Sequence, residues 1–138
     1  MISNRSMPDA TVIPVLGYPD VAAAVTWLCD VFGFTERLRI GDHRAQLTVG
    51  TGAVVVAQRN PSSAPGTGSH SVMVRVADAR AHHARVAATG ARILQEPTDF
   101  PYGERQYTAV DPGGHVWTFS ESIRDVDPVD WGGVLVDA

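Results

Sequence analysis

The chain has 138 residues, a formal charge of −4 and 44% hydrophobic residues. That is enough for one domain with a real core, and a mildly acidic balance without a basic stripe argues against a nucleic-acid partner. The single cysteine, Cys29, excludes an intrachain disulfide and a multi-cysteine metal site.

Residues Met1–Ala10 are polar, read as a loose start, and carry no apolar run of the signal-peptide kind. No segment is long and apolar enough to span a membrane, so no membrane partner and a cytoplasmic location are expected. Val12–Tyr18 reads as a strand, with Pro14 near its start pointing to an edge or irregular position. Asp20 is a candidate N-cap for a helix in which Val21, Val25, Leu28 and Phe32 recur at helical spacing, and Gly33 closes it. Cys29, beside Trp27 and Leu28 in that pattern, reads as a structural thiol. Strands follow over Phe34–Ile40, His43–Val49 and Ala53–Gln58, punctuated by Gly41-Asp42 and Gly50-Thr51-Gly52.

Residues 59–69 (RNPSSAPGTGS) are the clearest linker, rich in Pro, Ser and Gly. After it the pattern starts again. His70–Val76 reads as a strand, Asp78 as the cap of a helix that Gly90 ends, and Arg92–Thr98 as a strand. Glu104–Val110 and His115–Ser120 flank Asp111-Pro112-Gly113-Gly114, a strong turn signal, and make a hairpin. Residues 123–138 lie beyond the repeat, and Trp131 in this tail reads as a cover, a seam residue or a peripheral anchor. The expected class is therefore α+β: two β-α-β-β-β modules, about 11–58 and 70–122, in one domain. Each module leaves one sheet face uncovered; paired, they form a curved, cup-like mixed sheet with the helices outside.

At this point the stretches PVLGYPDVAAAVTWLCDVFGF and DFPYGERQYTAVDPGGHVWTFSES resemble the opening and the closing hairpin of the vicinal-oxygen-chelate superfamily, the glyoxalase, bleomycin-resistance and extradiol-dioxygenase group. The resemblance spans roughly Ala10 to Ser122. It implies paired modules, an open cup and often a homodimer. Metal-using members of that group take His, Gln or Glu ligands from the first and last strands of each module. Carried onto this chain, those places hold Ile13, Val56, Ser71 and Thr118, none of them a usual ligand. No metal and no cofactor are expected.

The five histidines do not repair this. His82 and His83 are adjacent on a helix, cannot share one face, and read as solvated. His115 has the parity of Trp117 and Phe119, the side that packs on a helix. The cup-facing parity instead selects Ile13, Val15 and Gly17 on the first strand, Val54, Val56 and Gln58 on the fourth, Ser71, Met73 and Arg75 on the fifth, and Val116, Thr118 and Ser120 on the last, an apolar surface with a few hydroxyls, one thioether and one cation; a filled core is the competing reading. Tyr102, in Phe100-Pro101-Tyr102-Gly103, stands where a flat ligand could stack or where a turn aromatic simply packs. Arg105 and Tyr107 share one parity and Gln106 and Thr108 the other, and the sequence leaves open which pair faces inward. The expected ligand-binding set is Ser71, Met73, Arg75, Tyr102, Arg105, Tyr107, Thr118 and Val56, with no catalytic residue. The function this implies is metal-free sequestration of a small aromatic ligand or antibiotic, closest in character to the bleomycin-resistance branch. The alternative is a metal-dependent glyoxalase- or dioxygenase-type enzyme.

Overall fold

A computed structural model describes residues 2–60 and 70–135. Nine of the expected linker positions, residues 61–69, lie outside the described residues. The fold is α+β, with two β-α-β-β-β modules, as the repeat implied. Contacts divide the chain into two compact units, Met1–Thr67 with Asp111–His115, and Gly68–Val110 with Val116–Ala138. No helix among the described residues is long and apolar enough to cross a membrane.

In the first module the elements are β1 (Val15–Tyr18), α1 (Val21–Trp27), β2 (Thr35–Ile40), β3 (Arg44–Val49) and β4 (Gly52–Gln58). The sheet order is β1-β4-β3-β2, with β1 and β4 parallel, so β1 is an edge strand as Pro14 suggested. The Asp20 carboxylate accepts from the Ala23 amide at 3.0 Å, a cap that contributes about 1 kcal/mol. The last turn, Leu28–Phe32, widens into a π turn, and Gly33 ends it at φ +85°, which a residue with a Cβ adopts only under strain. Leu16, Tyr18, Ala45, Leu47, Val54 and Val56 are all buried. They share one sheet face by register, Leu16 and Ala45 being partners of Val56 and Leu47 of Val54, and it is the face on which α1 lies, because Tyr18 lines one cavity with Ala23, Ala24 and Trp27.

The turn Asp111–His115 packs within this first unit. Asp111 Oδ1 accepts from the amides of Gly113 and His115, and Asp111 Oδ2 accepts from the buried Tyr18 hydroxyl. Arg59 donates to the carbonyls of Gly17 (3.0 Å) and Gly113 (3.1 Å), and His115 Nε2 donates to the Gly17 carbonyl (2.8 Å). Burial, reinforced by the Asp111 carboxylate, pushes the Tyr18 hydroxyl well above the usual tyrosine range.

The second module runs β5 (Val72–Arg75), α2 (Ala79–Ala88), β6 (Arg92–Asp99), β7 (Glu104–Val110) and β8 (Val116–Ser122), in the order β5-β8-β7-β6. Asp78 caps α2 through the Ala81 amide, and the Glu121 carboxylate accepts from the Ala79 amide. Ala79, His82 and Val86 face the sheet. The apolar layer beneath α2 is Tyr107, Ala109, Trp117 and Phe119, each fully buried. His82 therefore corrects the solvated reading: it is buried, its Nδ1 hydrogen-bonds the Tyr107 hydroxyl, and its ring lies 4.4 Å from that of Phe119. His83, half-buried, pairs with Glu96 at 2.7 Å.

Candidate functional site

The sheet of the second module has two unlike faces, and the register assigns every residue to one of them. Tyr107 pairs with Phe119 and Ala109 with Trp117, on the α2 side. Glu104 pairs with Ser122, Gln106 with Ser120, Thr108 with Thr118, Met73 with Thr118 and Arg75 with Ser120, on the open side. The α2 side is apolar. The open side carries a continuous row of polar groups.

That row is joined by hydrogen bonds running in one direction. The Tyr102 hydroxyl donates to Gln106 Oε1 (3.3 Å), Gln106 Nε2 donates to Ser120 Oγ (3.0 Å), and Ser120 Oγ donates to Glu104 Oε1 (2.6 Å). Arg75 donates to Ser122 Oγ at 3.3 Å, and the Thr108 and Thr118 hydroxyls are 3.1 Å apart. Gln106 and Ser120 are buried, so their partners fix their orientation. Burial pushes the Glu104 carboxyl up, but hydrogen bonds from Ser120 and Ser122 and the Arg75 charge outweigh it and hold it below the usual range. The face thus presents an ionised carboxylate, a guanidinium, hydroxyls and the exposed thioether of Met73.

Aromatic rings stand beside the row. Tyr102 stacks on Phe100 (centroids 5.3 Å, planes 11° apart) and meets Trp131 at 5.3 Å and 56°. Gly103, at φ +84°, makes the approach possible: a Cβ there would lie 2.5 Å from the Arg124 carbonyl oxygen. Trp131 comes from a 3-10 turn, Pro128–Trp131, whose Asp127 cap accepts from the Val129 amide.

Of the residues expected to face a ligand, the structure brings Met73, Arg75, Thr118 and Tyr102 to this one face or its margin. Ser71 is exposed, just before β5. Three others point elsewhere and are corrected. Tyr107 is buried under α2, and its hydroxyl is pushed above the usual range by that burial. Arg105, on the same parity, is taken by Asp99 at 2.6 Å. Val56 is fully buried on the α1 side of β4, paired with Leu16 and Ala45. Ser120 stands on this face as its parity implied; sequence reasoning missed Glu104 and Gln106 as its partners in one network, and Trp131 as the ring beside Tyr102. Cys29 is half-buried, and desolvation, with Glu36 and Asp30 nearby, pushes its thiol up, away from nucleophilic use.

The donor set does not suit a resident metal. Among the described residues no three His, Cys, Asp or Glu side chains cluster. The open face offers one carboxylate, already engaged by serine hydroxyls, with Thr118 and Ser120 in the closing strand.

A family model for the glyoxalase/bleomycin resistance protein/dioxygenase superfamily matches residues 11–119. The chain belongs to that superfamily. Among solved structures, this superfamily member is 39% identical to TioX from Micromonospora sp. ML1, covering 80% of this chain and 97% of that one at a TM-score of 0.69. It shares its fold with a glyoxalase/bleomycin resistance protein/dioxygenase from Nocardioides (17% identity, 99% and 93% covered, TM-score 0.71). It also shares it with the fosfomycin resistance protein FosX from Listeria monocytogenes (12% identity, 88% and 94% covered, TM-score 0.66). The search of curated proteins returned no match.

Proposed function

We propose that this superfamily member binds a small molecule of aromatic character and holds it unchanged, in the manner of a resistance protein. The observation that carries the reading is the open face of the second module, where the Tyr102 ring, braced by Phe100 and Trp131, adjoins a fixed row of hydrogen-bonding groups. A flat ring stacks on an aromatic plane, while Arg75, Thr118 and Gln106 set the orientation of its polar substituents. Glu104 is held ionised and below the usual range, which suits an acceptor of hydrogen bonds and not a base near neutral pH. The superfamily's name includes bleomycin resistance, and FosX is a fosfomycin resistance protein; resistance by sequestration is proposed for this chain in that light. A symmetric homodimer that covers open sheet edges is part of the proposal, and sedimentation at micromolar concentration checks it.

The test is a fluorescence titration of wild type, Tyr102→Ala and Trp131→Ala with a panel of aromatic antibiotics, followed by mass spectrometry of each compound. Saturable binding with recovery at unchanged mass is expected, weakened roughly three- to tenfold in Tyr102→Ala, the factor one aromatic pair represents. Conversion to a new mass would replace sequestration by catalysis.

A further inference from the structure

The open face of the first module's sheet is not bare, and what covers it is the chain itself. Gln46 pairs with Val55 on β4 and alternates with Ala45 and Leu47, so it lies on the side away from α1. It is 4% exposed. Its Nε2 donates to the backbone carbonyl of Ser6 at 2.9 Å. Beside it, β2 has a bulge between Glu36 and Leu38, where the register slips by one residue. A bulge re-aims the side chain of the extra residue. Here that residue is Arg37, which donates from Nη1 to Gln46 Oε1 (2.6 Å) and from Nη2 to the carbonyl of Arg5 (2.9 Å). The segment turns on itself at Asn4, whose carbonyl accepts from the Met7 amide and whose side chain accepts from the Ser6 amide, and Pro8 is buried.

Adjacent backbone carbonyls, those of Arg5 and Ser6, thus occupy adjacent side-chain donors on a face that also carries the buried Ala53 and Val55 and, beside Ala53, the half-buried Thr48. These residues precede position 11, where the family match begins. The arrangement resembles a ligand already in place. A strap that only anchored the terminus would not need a buried glutamine and a bulge-directed arginine to read its carbonyls.

We propose that the N-terminal segment is a strap that occupies the open face of the first module, and that a ligand presenting two neighbouring carbonyl acceptors displaces it. This is a second face, apart from the one that carries the proposed function, and the proposal names the ligand class it takes and the segment that competes for it. The incoming carbonyls take the donors of Arg37 and Gln46; the strap carbonyls return to water. Affinity is therefore lowered by the strap's own closing equilibrium, and weakening the strap without removing both donors exposes the face.

Trypsin cleavage after Arg5 reports the strap directly, because the carbonyl of the scissile bond is held by Arg37 and that of the next residue, Ser6, by Gln46. The experiment uses the full chain and follows the loss of the first five residues by mass. Arg37→Ala and Gln46→Leu are each expected to speed this cleavage roughly tenfold over wild type, the factor one or two net hydrogen bonds represent. Gln46→Leu keeps the buried volume, so it answers the question if Arg37→Ala unfolds the edge strand. The probe is naphthoyl-glycinamide, an aromatic amide with two neighbouring carbonyls. In wild type it is expected to accelerate the same cleavage saturably, and in Gln46→Leu, where the strap is already weakened and one donor is gone, to add little further acceleration. Equal cleavage rates in all three chains without probe overturn the strap. Probe binding that Tyr102→Ala weakens but that leaves cleavage unchanged overturns the displacement and spares the proposed function. A closed strap with no probe binding overturns the ligand class, while the antibiotic panel still decides the function.

Discussion

Replacing Gly113 by alanine tests the joint between the hairpin turn and β1. An ideal Cβ at Gly113 would lie 2.5 Å from Tyr18 Cδ2 and 2.6 Å from Cε2, well inside van der Waals contact. The ring has little room to yield. Tyr18 is 2% exposed, its hydroxyl is tied to Asp111, and His115 packs edge-on at 4.8 Å. Either the ring or the turn must move, an overpacking cost of about 1–3 kcal/mol. Movement also separates the phenol from Asp111, and a buried carboxylate that loses a donor costs about 1–3 kcal/mol more. Alanine restricts the unfolded chain and returns about 0.4–1 kcal/mol. The net expectation is a loss of about 2–4 kcal/mol, read as a fall of roughly 1–2 M in the urea midpoint. Unfolding is followed by tryptophan fluorescence and circular dichroism together, so that any separate loss of one unit appears as a divergence of the curves. The same substitution made in a Tyr18→Leu background should cost under about 1 kcal/mol, because the clashing ring is gone. A Gly113→Ala midpoint within experimental error of wild type, or an undiminished cost in the Tyr18→Leu background, would refute the reasoning.

Other outcomes follow from the same geometry. Tyr18 and Tyr107 are both held above the usual tyrosine range, so their burial stabilises the fold fully below the unfolded value near pH 10 and is lost as pH rises beyond it; urea midpoints should fall from pH 9 to 11, less steeply in Tyr107→Phe, and a flat profile contradicts this. Glu104 is held below the usual range, so its contribution is present above the unfolded value near about 4.3 and disappears as pH falls through the folded one; Glu104→Gln should flatten the acid limb of the stability profile, and an unchanged limb would show that its serine bonds do not form. Gly103→Ala places a Cβ against the Arg124 carbonyl at a positive φ, so it should lower both stability and the affinity of the aromatic panel, whereas loss of neither removes the loop from the proposed site.

Much of the frame was legible because its signals are local and chemical. Asp20 and Asp78 are short acceptors placed where a helix begins, and each caps as expected. Asp111-Pro112-Gly113-Gly114 makes its turn because Asp111 can satisfy two turn amides at once and Gly114 takes φ +87°. Face assignment was harder. In β4, Ala53, Val54, Val55 and Val56 are all buried, so both faces are apolar and no alternation marks the inner one. That is how Val56 was expected on the wrong side. In α2 the clue was present: Ala79, His82 and Val86 fall at helical spacing, and two of them are apolar, which places His82 beneath the helix.

The strand β7 shows how a site hides from its own sequence. Glu-Arg-Gln-Tyr-Thr-Ala-Val puts a charge on each face at its start, Glu104 on one and Arg105 on the other, so neither parity reads as inner. What decides is tertiary. Tyr107 and Ala109 are the partners of Phe119 and Trp117, whose bulk belongs under α2, and pairing carries Gln106 and Thr108 to the other side. Arg105 can end up on the helix side because it sits at the end of the strand, where Asp99 neutralises it and solvent reaches both. Once that parity is set, Glu104, Gln106 and Ser120 cease to be scattered polar residues. Each buried amide or hydroxyl needs a partner, and the partner available on that face is the next member of the row, which ends at Tyr102 and its ring neighbours. The polar row and the aromatic stack are therefore two consequences of one register, and a substitution that flips the register, not one that removes a single contact, is what would erase the site.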